Sequence, residues 1–299
     1  MMTNIIEFDG VTKAFGKGRG IFDVSMNIEP GVVYGFIGTN GSGKTTTIRN
    51  LMGFLKPDRG TIKVKGRDAW KDAALLKHFM SYVPGQIEFP RFRTGMQFLK
   101  YFAKYLEITD FTYMEHLIEV LQLDPSANLR RMSKGMKQKT AFVAALMGDK
   151  EILVFDEPTT GLDPLMREAF LNLIRQEKAK GKTIFMSSHI FEEIEEVCDV
   201  AAIIHKGRVL RTVDIDTIRN PENKWFGITF NTSWDRADFV DRFRFDTVKI
   251  VGGRSCEVTV PMMDIVILLQ HLKGYLLCEF QEKHTTLETY FKEAIREGE

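Results

Sequence analysis

A glycine-rich octapeptide stands near the start of the chain and reads Gly38-Thr39-Asn40-Gly41-Ser42-Gly43-Lys44-Thr45. It fits the pattern G-x-x-x-x-G-K-[ST] of a phosphate-binding loop. The apolar run at 32–37 before it predicts a buried strand, and the residues from Thr46 onward predict a helix. We expect positive φ angles at the glycines, so that main-chain N–H groups converge on an anion at the helix N-terminus. The order of strand, loop and helix favours a phosphate site over a chance glycine-rich turn that contains Lys-Thr.

Two side chains of this segment predict what the phosphate belongs to. Lys44 is long enough to reach the terminal phosphates of a nucleotide, and the hydroxyl of Thr45 suits Mg²⁺. The predicted nucleotide-binding residues of this segment are Gly38, Thr39, Asn40, Gly41, Ser42, Gly43, Lys44, Thr45 and Thr46.

A second cluster of polar residues follows two apolar runs further along the chain. Asp156 ends the run at 152–155, where a carboxylate can hold Mg²⁺ directly or through water. The adjacent Glu157 is then in reach of an attacking water as a general base. His189 follows the run at 183–186 and can hydrogen-bond a terminal phosphate. Exposed loop acids and a structural histidine are the alternatives, and the phosphate-binding loop in the same chain favours the catalytic interpretation.

The composition limits the class of protein and the kind of partner. The chain has 299 residues, of which 44% are hydrophobic and 27% charged, and roughly two domains at ~150 residues each are expected for this length. A formal net charge of +1 gives no global basic field, so no nucleic-acid partner is predicted. The three cysteines are far apart and suit a reducing cytosol. No apolar run approaches the ~18 residues that span a bilayer, so any membrane-spanning part would belong to another chain.

Alternating strands and helices predict an α/β fold with a mostly parallel central sheet. Buried parallel strands are expected at 32–37, 80–83, 151–155 and 183–186, and a closing hairpin at 200–204 and 208–211. Alternating apolar and polar residues predict an antiparallel β subdomain from strands at 4–10, 21–28 and 61–65. The stretch Thr12–Gly18 between the first two of these strands predicts a turn.

Helices are predicted between these strands. A polar helix is expected at 71–79, and a helical subdomain at about 92–147 with helical sequence over 95–123 and a helix from the cap Ser133 to about Met147. The subdomain is predicted to be well packed, with a partner-docking face as the alternative. Asp163-Pro164 predicts the start of another helix and Gly181 its end.

The segment Asn220-Pro221-Glu222-Asn223 predicts a domain boundary. Beyond it the pattern predicts strand 224–230, helix 233–243, strands 247–251 and 255–260, helix 262–273, strand 275–282 and helix 286–296. This order suggests a small ferredoxin-like α+β accessory unit. The predicted domains are therefore 1–220 and 221–299.

Over residues 5–220 the ordered motifs resemble those of the ATP-binding cassette (ABC) transporter ATPase family, whose core is a P-loop NTPase fold. Residues 38–45 resemble its Walker A motif and 152–157 its Walker B motif with the catalytic glutamate. Thr160-Gly161-Leu162-Asp163 resembles the D-loop, and His189 matches the switch histidine. Phe15 falls where the family places an aromatic that stacks on adenine, although a core or turn aromatic remains the alternative.

Two motifs depart from the pattern of the family. The LSGGQ-like motif appears as Met132-Ser133-Lys134-Gly135-Met136, which keeps the serine and the second glycine. The glutamine that normally follows the strand's proline is displaced by one residue, because Gly85 follows Pro84 and Gln86 comes next. An ordinary loop glutamine is the alternative for Gln86.

The resemblance implies a complete functional assignment. The chain would hydrolyse ATP with Mg²⁺, with Glu157, His189 and Gln86 as catalytic residues and Thr45, Asp156 and Gln86 around the metal. A second cassette, identical or different, would supply Ser133 and Gly135 to the γ-phosphate. The partner would be a transmembrane permease at the cytoplasmic face of the cell membrane.

The resemblance also implies a class of cargo, and one rival function stands beside it. The segment Thr285–Phe291 looks like the tail of single-cassette subunits of ABC-2-type exporters, which implies export of a drug, lipid or peptide. The alternative is a soluble P-loop ATPase that acts on nucleic-acid or protein machinery. A GTPase or a nucleotide kinase is disfavoured, because the chain lacks an Asn-Lys-x-Asp motif and carries Ser133-Lys134-Gly135.

Overall fold

The computed structural model describes residues 4–243, 248–283 and 286–298. Thr247, the first residue of a predicted strand, and Thr285, the first residue of the tail motif, lie outside the described residues. The chain forms two compact units. The larger contains the residues up to Asp214 and those from Phe291 onward, and the smaller contains Ile215–Tyr290.

The larger unit alternates strands and helices. In chain order its elements are β1 (Ile6–Ala14), β2 (Gly20–Ile28), β3 (Val33–Ile37), α1 (Lys44–Leu51), β4 (Arg59–Val64), β5 (Arg67–Asp68), α2 (Ala73–Leu76), β6 (Met80–Val83), α3 (Gly95–Tyr105), α4 (Thr112–Val120), α5 (Lys134–Leu146), β7 (Ile152–Asp156), α6 (Pro164–Ala179), β8 (Thr183–Ser188), α7 (Phe191–Val197), β9 (Val200–His205) and β10 (Arg208–Asp214).

The central sheet is six-stranded with the order β10-β9-β3-β8-β7-β6. Its strands from β9 to β6 are parallel, and β9 and β10 form the predicted antiparallel hairpin. Every residue of β3, β7 and β8 is buried, which explains why these strands read as continuous apolar runs. Phe36 and Asp156 both pair in register with Ser187 of β8. The loops that follow β3, β7 and β8 therefore leave the sheet at one edge, and the predicted α/β fold is confirmed.

A second, antiparallel sheet of the larger unit has the order β2-β1-β4-β5. Ile6, Phe8 and Ile62 are buried beneath it, in line with the alternating pattern of its strands. The predicted turn at Thr12–Gly18 is too long, because β1 continues to Ala14. The turn itself is closed by the N–H of Phe15, which donates to the carbonyl oxygen of Arg19 over 2.9 Å.

The helical region differs from the sequence prediction in the length of one helix. The helix predicted at 71–79 is only the single turn α2. The stretch 95–123 is two helices, α3 and α4, because Glu107 adopts a φ of 58° after α3. The N–H of Ile108 donates to the carbonyl oxygen of Ala103 over 2.9 Å and closes this helix end. Among the described residues no helix has both the length and the apolar character to cross a membrane.

The smaller unit has the predicted β-α-β-β-α-β order. Its elements are α8 (Asp216–Arg219), β11 (Asn223–Phe230), α9 (Ser233–Arg242), β12 (Val248–Ile250), β13 (Ser255–Pro261), a 3₁₀ turn (Met262–Asp264), α10 (Ile265–Leu272), β14 (Leu277–Lys283) and the start of α11 (Leu287–Gly298). The sheet order is β12-β13-β11-β14, with every pair antiparallel. Phe230 and Phe239 pack together in its core, at 5.1 Å between ring centroids.

Candidate functional site

Two of the three glycines in the loop between β3 and α1 adopt the expected positive φ, whereas Gly38 does not. Gly41 has a φ of 80° and Gly43, the residue before α1, a φ of 115°. At Gly38 the backbone is closely packed, because a Cβ atom there would lie 2.4 Å from the carbonyl oxygen of Ile204. The first turn of α1 therefore presents free N–H groups at the loop, as an anion site requires.

Lys44 is the centre of this loop and is only 4% exposed. Its ammonium donates to the carbonyl oxygens of Gly38 and Thr39 over 2.7 and 3.2 Å. The same Nζ lies 3.1 Å from Oε1 of Glu157. The structure therefore brings together the lysine of the first motif and the glutamate of the second.

Ser187 organises the two carboxylates after β7. Its hydroxyl donates to Oδ1 of the buried Asp156 over 2.7 Å and accepts the N–H of Glu157 over 3.0 Å. Ser187 belongs to none of the motifs that the sequence shows. The pairing of Asp156 with Ser187 across β7 and β8 is the reason for the contact, and the serine's place two residues before His189 is the only sequence signal for it.

Glu157 lies between two basic groups. Its Oε1 faces Lys44, and its Oε2 lies 3.3 Å from Nδ1 of His189. Partial burial opposes ionisation of this carboxyl, but the Lys44 ammonium and the nearby His189 outweigh that effect and hold the pKa of Glu157 below its usual value. Glu157 is therefore a carboxylate at neutral pH, which is the form that a general base requires.

Three of the predicted site residues take no part in the hydrogen bonds and ion pairs described above for Lys44 and Glu157. Phe15 stands in the turn between β1 and β2 and is half exposed. Gln86 is exposed, but the preceding Gly85 is packed so that a Cβ atom there would lie 3.0 Å from the carbonyl oxygen of Asp156. Ser133 caps α5, and its hydroxyl accepts the N–H of Met136 over 3.2 Å.

The start of α5 packs on the loop that follows β7 in the same chain. A Cβ atom on Gly135 would lie 3.2 Å from the carbonyl oxygen of Gly161. The side chain of Lys134 lies over Gly161, since a Cβ atom there would come within 3.0 Å of its Cδ. The chain thus joins the Ser133–Gly135 segment to the loop before α6.

The residues at the edge of the sheet fit a magnesium-bound triphosphate. The hydroxyl of Ser42 is buried and has no hydrogen-bond partner within the part of the chain that the structure describes. An orphaned buried hydroxyl inside an anion-binding loop indicates that its partner is a ligand. The exposed hydroxyl of Thr45 and the carboxylate of Asp156 supply oxygen donors, the type that Mg²⁺ prefers.

A separate groove lies between β6, the edge strand of the central sheet, and helices α3 and α5. Its volume is about 780 Å³, within the range of ligand-binding clefts. Six aromatic side chains contribute to its wall: Phe54, Tyr82, Phe89, Phe98, Phe102 and Tyr105. Tyr105 is 74% exposed, so an uncovered aromatic surface lies at the groove.

Comparisons with known proteins agree on one kind of relative. A family model described as "ABC transporter" matches residues 21–160. The bacitracin transport ATP-binding protein BcrA of Bacillus licheniformis is 34% identical over 230 residues, which are 75% of this chain and 74% of that protein. The Nod factor export ATP-binding protein I of Paraburkholderia xenovorans is 35% identical over 208 residues, 68% of each protein. A solved ATP-binding subunit of an ABC transporter matches with a TM-score of 0.65 at 30% identity, over 72% of this chain and 92% of that one.

Proposed function

This chain belongs to the ATP-binding proteins of the ABC transporter family and is an ATPase, and on that premise we propose that it powers export of a drug, lipid or peptide through a separate transmembrane permease. The names of the relatives support this cargo class, because one serves bacitracin transport and another Nod factor export. The proposed location is the cytoplasmic face of the cell membrane.

The proposed mechanism assigns one task to each residue at the edge of the sheet. The loop N–H groups and Lys44 bind the phosphates, and Phe15 stacks on the adenine. Thr45, Asp156 and Gln86 would hold Mg²⁺, which would neutralise charge on the phosphates. Glu157 accepts a proton from the attacking water, while His189 and Gln86 orient that water.

Lys44 has to exchange partners when a nucleotide binds. Its ammonium contacts the carbonyl oxygens of Gly38 and Thr39 and the carboxylate of Glu157. A triphosphate carries more negative charge than one carboxylate, so it competes for the ammonium. Release of Glu157 from this ion pair would free the carboxylate for the water, which ties the proposed base to the presence of substrate.

The proposed site is completed by a second ATPase subunit, either a copy of this chain or a different cassette. The Ser133–Gly135 segment packs against Gly161 of its own chain, and no hydrogen bond or ion pair joins it to Lys44 or Glu157 within the described residues. Head-to-tail pairing would bring Ser133 and Gly135 of one subunit to the γ-phosphate of the other. Hydrolysis would then be a property of the dimer.

The aromatic groove is the observation that supports a permease as the partner. Exposed apolar surface of this kind marks sites of protein interaction, and the groove is built from α3 and from the segment after β6. That segment includes Gln86, so a partner seated there would contact the loop that leads to the site. We propose that residues 1–220 form the ATPase domain and 221–299 an accessory domain, although the compact units divide at Asp214 and return the residues from Phe291 to the larger unit.

Copurification from membranes tests the partner. The full chain, tagged and expressed in its own cell, is purified in mild detergent, and we expect a polytopic membrane protein to accompany it. Tyr105→Glu places a charge in the groove and should abolish this association while ATP binding persists. Tyr101→Glu is the matched control, because Tyr101 lies on the same helix, is also exposed and does not line the groove.

The rival function gives a different result in the same experiment. Copurification of a ribosome, a nucleic acid or a soluble complex without a membrane protein would favour the P-loop ATPase of a cytosolic machine. Equal recovery of the membrane partner with Tyr105→Glu and with the native chain would exclude the groove as its docking site.

A further inference from the structure

Glu193 is a fully buried carboxylate that the proposed mechanism does not use. It lies on α7, four residues after His189, and its exposure is 0%. One carboxylate oxygen, Oε2, accepts the hydroxyl of Ser188 over 2.9 Å. The other, Oε1, lies 2.9 Å from Nε of Arg167 on α6. Burial of a carboxylate is costly unless it is paired and hydrogen-bonded. Oε2 has the hydrogen bond, whereas Oε1 has the ion pair with Arg167 and no hydrogen bond among the described residues.

Ser188 precedes His189, and its side chain contacts the residue that follows His189. The hydroxyl of Ser188 donates to Glu193 and at the same time accepts the N–H of Ile190 over 3.0 Å. The carbonyl oxygen of Ser188 accepts the N–H of Gly38 over 3.4 Å, so the same residue contacts the phosphate-binding loop. Glu193 thus fixes the backbone on both sides of His189, and the imidazole of that residue lies 3.3 Å from Glu157.

Arg167 connects this arrangement to the start of α6. Its guanidinium pairs with Glu193, and its backbone N–H donates to the carbonyl oxygen of Asp163 over 2.9 Å. Asp163 caps α6 through Oδ1, which accepts the N–H of Met166 over 3.0 Å. The loop just before this cap carries Gly161, against which Gly135 packs. A continuous series of contacts therefore runs from the loop before α6 to the residues around His189.

We infer that Glu193 is a positioning residue for ATP hydrolysis, which holds His189 against Glu157 and, through its ion pair with Arg167, ties the position of His189 to α6. This inference rests on the catalytic role proposed for His189. The arrangement is suited to positioning because an apolar residue of similar volume would stabilise the interior equally well. Only the carboxylate can hold the Ser188 hydroxyl and the Arg167 guanidinium together.

The first test separates turnover from binding. Glu193→Gln keeps the size of the side chain and an acceptor for Ser188, but it removes the charge that pairs with Arg167. Since small misplacements of catalytic groups are costly, we expect kcat to fall by ~10-fold with the KM for ATP within about twofold of the native value. Glu192→Gln is the matched control, because Glu192 is the preceding residue on α7 and is exposed.

A spectroscopic measurement reports on His189 directly. The imidazole resonances of His189 are identified by their loss in His189→Ala. They should move in Glu193→Gln and stay in place in Glu192→Gln. A fall in kcat with unchanged His189 resonances would refute the inference, as would native turnover in Glu193→Gln.

Two further variants keep the result decisive. If Glu193→Gln fails to fold, Arg167→Gln breaks the same ion pair from its partly exposed end and should give the same fall in kcat and the same shift of the His189 resonances. If Arg167→Gln leaves both unchanged, the link to α6 is excluded. Native turnover in His189→Ala would overturn the proposed mechanism itself, whereas a native-like Glu193→Gln beside an inactive His189→Ala would overturn only the role of Glu193.

Discussion

Removal of the Glu177 carboxylate should destabilise the larger unit by about 3 kcal/mol, the low end of the range for breaking a buried ion pair. Glu177 lies near the end of α6, and its side chain is completely buried. Its Oε2 pairs with the ammonium of Lys182, and its Oε1 accepts the hydroxyl of Tyr113 on α4 and the ammonium of Lys180 over 2.6 Å. The cluster therefore joins α4 of the helical region to α6.

The size of the effect follows from the exposure of each partner. Lys180 is 45% exposed and regains water when Glu177 is lost, so its share is small. Lys182 is only 7% exposed and would keep one partner, Oδ1 of the largely exposed Asp149 at 2.8 Å. In Glu177→Ala, Lys182 would be a nearly buried ammonium whose only remaining described counter-charge is exposed. This accounts for most of the expected loss in the free energy of unfolding. Tyr113→Phe loses one hydrogen bond to a charged group and should cost about 1.5 kcal/mol.

Hydrogen exchange in increasing urea measures this effect within the larger unit. The amides of β7 and β8 report the loss of stability, and those of β11 and β13 serve as an internal reference. Glu151→Gln is the control, because its ion pair with Lys65 is partly exposed on both sides and should contribute less than about 1 kcal/mol. A Glu177→Ala protein within 1 kcal/mol of the native chain would show that Lys182 does not depend on Glu177, and would refute this reasoning.

The dependence on pH has a definite sign. Burial opposes ionisation of Glu177, but its hydrogen bonds to Lys180, Lys182 and Tyr113 outweigh burial and lower its pKa from the ordinary 4.5. A carboxyl with a lowered folded-state pKa contributes stability above its unfolded pKa and loses that contribution as the pH falls through the folded value. The stability difference between the native chain and Glu177→Gln should therefore be constant near neutral pH and shrink below pH 4.5. A difference that grows on acidification would contradict the assignment.

Two further predictions concern the site. Glu157→Gln should retain ATP binding and trap the closed dimer, with hydrolysis reduced by at least ~100-fold, because a general base is lost; near-native phosphate release would remove Glu157 from that role. Lys44→Ala should weaken ATP binding by ~10- to 100-fold in fluorescent-nucleotide titrations, because charge-assisted hydrogen bonds to the phosphates are lost. An unchanged Kd for ATP would exclude Lys44 from the phosphate site.

The sequence was most informative where a local signal and its physical cause coincide. The apolar runs predicted the buried parallel strands, since both faces of these strands are covered. The pair Asp163-Pro164 predicted the start of α6, where Asp163 accepts the N–H of Met166. The alternating pattern beyond 220 predicted the order of elements in the smaller unit.

The sequence was least informative where tertiary structure overrides local preference. Glu107 follows the end of α3 and Gln122 follows the end of α4, with φ angles of 58° and 47°. Glycine is the usual residue at a helix end with such a positive φ. No glycine marks these helix ends, so the sequence predicted helical structure over 95–123 without locating the break between the two helices. Ser187 was missed for a different reason, because its contact with Asp156 depends on the register between β7 and β8. Register across a sheet is not visible in either strand alone.

Glu157 was predicted as a site residue from the sequence, whereas its backbone conformation is visible only in the structure. Its place after an apolar strand and Asp156 made it a candidate base, but its backbone adopts a φ of 49°, which a residue with a side chain normally avoids. Such a conformation costs of order 1 kcal/mol or more and persists only when its surroundings hold it. Here Ser187 accepts the N–H of Glu157 through both its hydroxyl, at 3.0 Å, and its carbonyl oxygen, at 3.2 Å. Backbone strain at a residue that also faces Lys44 and His189 is typical of functional sites. The same backbone conformation at Glu107 and Gln122 only ends helices, so it is the contacts of Glu157 with Lys44 and His189, and not its φ alone, that support the proposed role as a base.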